Sequence, residues 1–153
     1  MMKAITIWQP YASLLALGIK TVETRGWYTS YRGPIAIHAA KRFDSAVADD
    51  CRRAVDFMKC QVLKSGSVEA AFPWFTEQQR ELADTPFGET IGHVVGIGAL
   101  CGCVKEAEPP SEADAEFGWF GADRFSWELE KVRAIKPVAV TGKQGLWNWD
   151  FGE

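Results

Sequence analysis

The sequence predicts an α+β domain in which about five or six strands close on themselves as a β-barrel, with helices packed at its ends. Three observations predict it. Short β-branched and aromatic runs bounded by glycine and proline recur from Ala4 to Trp149; a helical period begins at Asp44; and residues 92–104 are apolar on both alternating faces. With 153 residues and 47% hydrophobic content, the chain can bury one core, and it reads as a single domain over 1–153.

Ala4-Ile5-Thr6-Ile7 opens as a strand. Gln9-Pro10 then starts a short helix from Tyr11 to Leu17, with proline in its first turn and Gly18 just past its end. Lys20-Thr21-Val22-Glu23-Thr24-Arg25 reads as a second strand. The turn chemistry from Gly26-Trp27-Tyr28 to Arg32-Gly33 forms a loop, and residues 34–40, with Ile35, Ile37 and His38, continue as a buried strand.

From Asp44 the apolar positions Val47, Cys51, Val55, Met58 and Val62 recur at three- or four-residue spacing, with Asp44 or Ser45 as N-cap and Gly66 beyond the end. This is an amphipathic helix whose stripe reads as core packing. Thr76-Glu77-Gln78-Gln79 matches a capping box and opens a shorter helix towards Ala83. Residues 92–104 set Gly96, Gly98 and Gly102 on one face, as in a curved barrel strand that another backbone or a ligand approaches closely.

Residues 106–123 carry six acids, no base and Pro109-Pro110, which predicts a solvated excursion with one short helix that stays clear of nucleic acid. Phe125, Trp127 and Leu129 then alternate with polar residues, the phase slipping near Lys131 as at a bulge, and a separate strand is expected at 137–141. The turn Gly142-Lys143-Gln144-Gly145 leads into Leu146-Trp147-Asn148-Trp149, whose two tryptophans share a face and read as core.

Net charge is −3, which argues against coating nucleic acid through bulk electrostatics. The first 42 residues, however, hold six basic side chains (Lys3, Lys20, Arg25, Arg32, Lys41, Arg42) against Glu23 alone. If these converge they make one positive face for a phosphate or anionic ligand; otherwise they are scattered solvated charges. No apolar run approaches the roughly 18 residues of a membrane span, and no charged region precedes an apolar run at the N-terminus, so a cytoplasmic protein with no membrane partner is expected.

Cys51, Cys60, Cys101 and Cys103 form no CxxC pair and read as free thiols. Cys101 and Cys103 with His93 have poor zinc spacing, so neither a metal nor a cofactor is expected.

The densest polar cluster in apolar surroundings is Lys20, Glu23 and Arg25, preceded by Trp8-Gln9-Pro10-Tyr11 and followed by Trp27 and Tyr31. In a strand Glu23 and Arg25 share a face and can pair, with Lys20 at the strand mouth. On periodicity alone the trio reads first as an ion-paired strand end. Its ligand-binding reading is that Glu23 accepts from exocyclic amines, Lys20 and Arg25 donate to carbonyl or phosphate oxygens, and the aromatic rings stack on a base.

The run Gly18-Ile19-Lys20-Thr21-Val22-Glu23-Thr24-Arg25 resembles the G-x-K-x-x-E-x-R signature of the ASCH family. Trp8-Gln9-Pro10-Tyr11-Ala12, Tyr31-Arg32-Gly33-Pro34 with Ile37-His38-Ala39, and Gly142-Lys143-Gln144-Gly145-Leu146-Trp147 resemble further landmarks of that family, in order. The resemblance implies a PUA-like closed β-barrel, with a helical insertion at about 43–89 and the acidic excursion at about 106–123 as variable parts. It also implies a cleft around the Lys20 motif for RNA or a nucleobase.

Candidate ligand contacts are therefore Lys20, Glu23, Arg25, Trp8, Gln9, Trp27, Tyr31, His38 and Gln144. His38 reads as a hydrogen-bonded packing residue rather than a catalyst, and Lys143 as a solvated lysine that can reach a phosphate.

The alternative implied by some family members is a metal-independent hydrolase, acting on N4-acetylcytidine as an amidohydrolase or on RNA as a ribonuclease, with Lys20 and Glu23 catalytic. Where such hydrolases carry a threonine three residues after the lysine, this chain has Glu23. Ser13 and Ser30 lack a His–acid pattern, and Gly96-x-Gly98 lacks the following helix of a phosphate-binding turn. The expected partner is RNA or a modified nucleoside. The oligomeric state is left open, with a monomer preferred.

Overall fold

A computed structural model describes residues 1–151. Its frame is one six-stranded sheet: β1 (Met2–Ile7), β2 (Val22–Arg25), β3 (Gly33–Ala39), β4 (His93–Lys105), β5 (Phe125–Ala139) and β6 (Leu146–Trp149). The spatial order is β2-β5-β4-β3-β1-β6. β1 and β3 run parallel, joined by helix α1 (Tyr11–Ala16) and β2; the other neighbouring pairs are antiparallel.

The sequence predicts a closed barrel, and among the described residues hydrogen bonds do not complete it. The two edge strands, β2 and β6, have only four residues each and are not paired with one another. A side chain spans the seam instead. Pairing of β1 with β6 stops at Ile5, and the next carbonyl, that of Thr6, accepts from Arg25 Nη2 of β2 at 2.9 Å.

The bulge expected near Lys131 is present: Ile97 pairs with Arg133 but Ala99 with Glu130, and Lys131 takes φ 53°. The separate strand expected at 137–141 is corrected. The chain stays paired with β4 past the bulge, so β5 is one 15-residue strand ending at Ala139.

The main core packs α1, buried from Ala12 to Ala16, between the sheet and the outer helices. Gly96 permits this: a Cβ there would stand 2.7 Å from Ala16 Cβ, so the helix rests on bare backbone. A second, smaller cluster on the far face contains Trp147 and Trp149 with Ala4, Ala36, Val94, Ile97 and Ile135.

Helix α2 (Ser45–Ser65) is capped by Asp44 and closed by left-handed Gly66, as its sequence dictates. Only the first half of its stripe is buried; Val55 is 38% exposed, and Met58 and Val62 face an apolar groove of about 830 Å³ shared with α3 (Val68–Ala71) and α4 (Glu77–Asp84). The Thr76–Gln79 capping box opens α4.

The acidic excursion holds the short helix expected there and is otherwise exposed or half-buried, but it is corrected in one respect. Its helix α5 (Glu112–Phe117) buries Ala113, Asp114 and Phe117 against the body, because Asp114 finds backbone donors there that a solvated loop would lack. No helix is long and apolar enough to cross a membrane among the described residues.

Candidate functional site: the seam between β1 and β2

The segment from Gly18 to Arg25 works in two halves. Gly18 ends α1 at φ 72°, a backbone that favours glycine, and a Cβ there would stand 2.8 Å from Trp74 Nε1, which donates to Leu17 O. Lys20 follows. Its ammonium is turned inward, 1% of the residue is exposed, and Nζ donates to Phe117 O at 2.7 Å.

Next to it, Asp114 accepts from Thr21 N at 2.9 Å, Thr21 Oγ1 at 2.9 Å and Val22 N at 3.2 Å, and from Ser111 Oγ at 2.7 Å. Lys20 and Thr21 are thus a clasp that fastens α5 to the start of β2. Desolvation lowers the Lys20 pKa, against which the Glu23 and Asp114 carboxylates act in the raising direction.

The second half of the segment lines a concavity, with Glu23 9% exposed and Arg25 half-buried. Glu23 and Arg25 alternate onto the same face of β2, with Arg25 Nε 3.3 Å from Glu23 Oε2. That contact joins the charges without hydrogen-bond geometry, so buried Nε has no hydrogen-bond partner among the described residues. The two side chains form the β2 lip of a cleft of about 480 Å³ whose opposite lip is Thr6, Ile7 and Trp8 at the end of β1.

α5 and the residues after it close one end with Phe117 and Trp119, and the cations Arg53 and Arg124 stand there with Glu116. Arg124 lies 4.1 Å over the Trp119 ring, and its Nη2 donates to Thr24 O at 3.2 Å. Trp8, 52% exposed, carries Arg42 at 4.0 Å over its ring. Tyr11, on the α1 side, donates to Asp50 Oδ2 at 2.8 Å, and burial followed by that acid pushes its pKa to about 12.

A second concavity of about 650 Å³ continues past the shared residues Thr6, Trp8 and Arg25 to Trp27, His38, Lys41 and the loop 141–145 with Gln144. Of the candidate contacts, Trp8, Glu23, Arg25, Trp27, His38 and Gln144 therefore line one or both concavities. Lys20, Gln9 and Tyr31 line neither.

Gln9 is fully buried: its Nε2 donates to Ser13 Oγ at 2.7 Å and Thr90 Oγ1 at 2.9 Å, and its Oε1 accepts from Ser13 N at 3.0 Å, satisfying the first turn of α1. Tyr31 donates to Pro34 O beside the β3 start.

His38 is a pin. Val140 O, 2.8 Å from Nε2, can only accept, so that nitrogen carries the proton and Nδ1 accepts from the Thr6 hydroxyl at 3.2 Å; the hydroxyl in turn accepts from Trp147 Nε1 at 3.1 Å. Burial lowers the His38 pKa and keeps the ring neutral.

Sequence reasoning missed Arg53, Trp119 and Arg124. The signal available was an exposed-type tryptophan inside an acidic stretch, with the first base after it at Arg124. No group of three or more His, Cys, Asp or Glu side chains able to hold a metal ion occurs among the described residues.

The ASCH domain profile matches residues 5–139, a span that takes in the helices at 43–89 and α5, and stops short of the loop 142–145 and β6. A segment of 38 residues is 50% identical to "Activating signal cointegrator 1" of Homo sapiens, covering 25% of this chain and 6% of that protein. The similarity to this relative is thus confined to a small part of its length. A profile match over most of the chain shows the family: this chain belongs to the ASCH domain family.

Proposed function

We propose that this chain holds one base of a single-stranded RNA, or a modified nucleoside, in the seam between β1 and β2. The observation that carries the reading is the cleft itself: paired Glu23 and Arg25 on one lip, with exposed Trp8 on the other and exposed Trp119 at the end. Each tryptophan already receives a planar guanidinium at stacking distance, and a ring face that takes a guanidinium also takes a heterocycle.

Stacking contributes about 1–3 kcal/mol per base. A hydrogen bond from an exocyclic amine to the Glu23 carboxylate adds about 1.5–3 kcal/mol where it replaces no equal bond. Membership of the ASCH family supports the same reading, since the resemblance implies an RNA or nucleobase cleft at these positions.

The hydrolase alternative draws on the lowered pKa of Lys20. Geometry favours it less: the amine donates to Phe117 O, the residue is 1% exposed, and it is not among the residues lining either concavity.

Titration with short single-stranded RNAs and modified nucleosides, followed by tryptophan fluorescence, tests the binding reading. A saturable change is expected with at least one of them; a flat response of the wild type across the whole set contradicts it.

A further inference from the structure

The two concavities differ in charge, and the difference gives the ligand a direction. The β2 side holds Glu23 and Glu116 among its arginines, whereas the loop side is lined by Arg25, Lys41 and Lys143 with no carboxylate among its lining residues. Lys41 and Lys143 enter no ion pair among the described residues. Three cations in one concavity, two of them uncompensated, form a local positive field inside a chain of net charge −3.

The loop that carries Lys143 is fixed rather than merely adjacent. A Cβ on Gly142 would stand 2.6 Å from His38 Cε1 and 2.7 Å from Thr6 Oγ1, so only glycine lets the backbone sit this close. Neutral His38 holds the preceding carbonyl, Val140 O. The loop lines the same concavity as Thr6, Trp8 and Arg25, which also line the β2-side cleft.

We propose that the loop-side concavity is a phosphate subsite, in which Lys41, Lys143 and Arg25 hold a phosphate attached to the nucleoside whose base lies against Glu23. The inference rests on the base-binding reading above and deepens it: the preferred ligand is a phosphorylated nucleoside, free or within a strand, and not a neutral nucleoside. Arg25 serves both halves, pairing with Glu23 on one side and lining the cationic concavity on the other. Exposed lysines act as point charges, so their contribution is salt-dependent.

The test titrates the four ribonucleosides, their 5′- and 3′-monophosphates and matching trinucleotides, at low and at physiological salt. The proteins are the wild type, the double variant Lys41→Ala/Lys143→Ala, and Lys136→Ala as a surface-cation control on β5. At low salt the phosphate is expected to tighten wild-type binding about tenfold, an advantage that shrinks with added salt. The double variant is expected to lose that advantage while binding nucleosides as before, and the control to keep it.

Mononucleotides that match the trinucleotides indicate a free nucleotide as ligand; a further gain for trinucleotides indicates a strand. Nucleosides that bind as tightly as their phosphates, or a phosphate advantage that survives in the double variant, overturn the subsite and leave the base cleft standing. Failure of every ligand to bind removes the base-binding reading together with the subsite.

Discussion

The ammonium of Lys20 donates to the carbonyl of Phe117, 97 residues further along the chain, at 2.7 Å. With the Asp114 bonds to Thr21 and Val22, this contact makes the wall of the cleft a tertiary structure held by the same short segment that supplies its lip. A buried ammonium costs several kcal/mol to desolvate, and the fold offsets this with one carbonyl and two nearby carboxylates.

Lys20→Ala should therefore act on stability. A cavity and an unpaired carbonyl together cost about 3 kcal/mol. Asp114→Ala should cost about 2–3 kcal/mol, since it strands the buried Val22 N–H and the part-buried Thr21 N–H. Urea denaturation measures both, and amide exchange should be faster at 112–117 in each variant; a loss below about 0.5 kcal/mol in both contradicts the clasp.

Trp8 and Trp119 are exposed by 52% and 68%, so Trp8→Ala and Trp119→Ala should leave urea midpoints close to the wild type. Their effect belongs on binding, where loss of stacking is about 1–3 kcal/mol per base, or roughly 5- to 150-fold in Kd. The reverse pattern, lost stability with unchanged affinity, would show that these rings are packing elements.

Glu23→Gln keeps the shape of the lip and removes its charge. Base binding is expected to weaken by about tenfold or more, the worth of a charge-assisted hydrogen bond. The comparison is made by calorimetry on ligands with and without an exocyclic amine, and equal losses for both would remove Glu23 as the amine acceptor.

His38 gives a pH dependence of defined sign. Unfolded histidine titrates near 6.5, and burial lowers the folded value. Above about 6.5 both states are neutral and the buried ring contributes its full stability; below it the unfolded chain takes up a proton that the fold resists, so stability falls with pH down to the folded pKa. The slope from this group is at most about 1.4 kcal/mol per pH unit. His38→Gln, compared with the wild type by urea denaturation between pH 7 and 5, should lack that component; parallel profiles would contradict the assignment of a neutral buried ring.

Local chemistry made much of this structure legible. The Thr76–Gln79 box, the Asp44 and Gly66 ends of α2 and the slip at Lys131 each depend on a few neighbouring residues, and each stands where the sequence places it. What was not legible is long-range. Nothing near Lys20 announces that its acceptor is Phe117, and an acidic run reads as solvated until Asp114 meets the free N–H groups at the start of β2. Lys20 and Gln9 were legible as special residues but not as buried ones, because a motif shows which residues matter and not which way they point.

The central claim is that the open seam between β1 and β2 receives the ligand. The most direct measurement is an amide and indole NMR titration of the wild type with a short single-stranded RNA that binds. Shifts are expected at Thr6, Trp8, Glu23, Arg25 and Trp119, with the apolar groove of Val55, Met58 and Phe72 unmoved. Shifts confined to that groove, or scattered over the surface with the seam silent, would contradict the account.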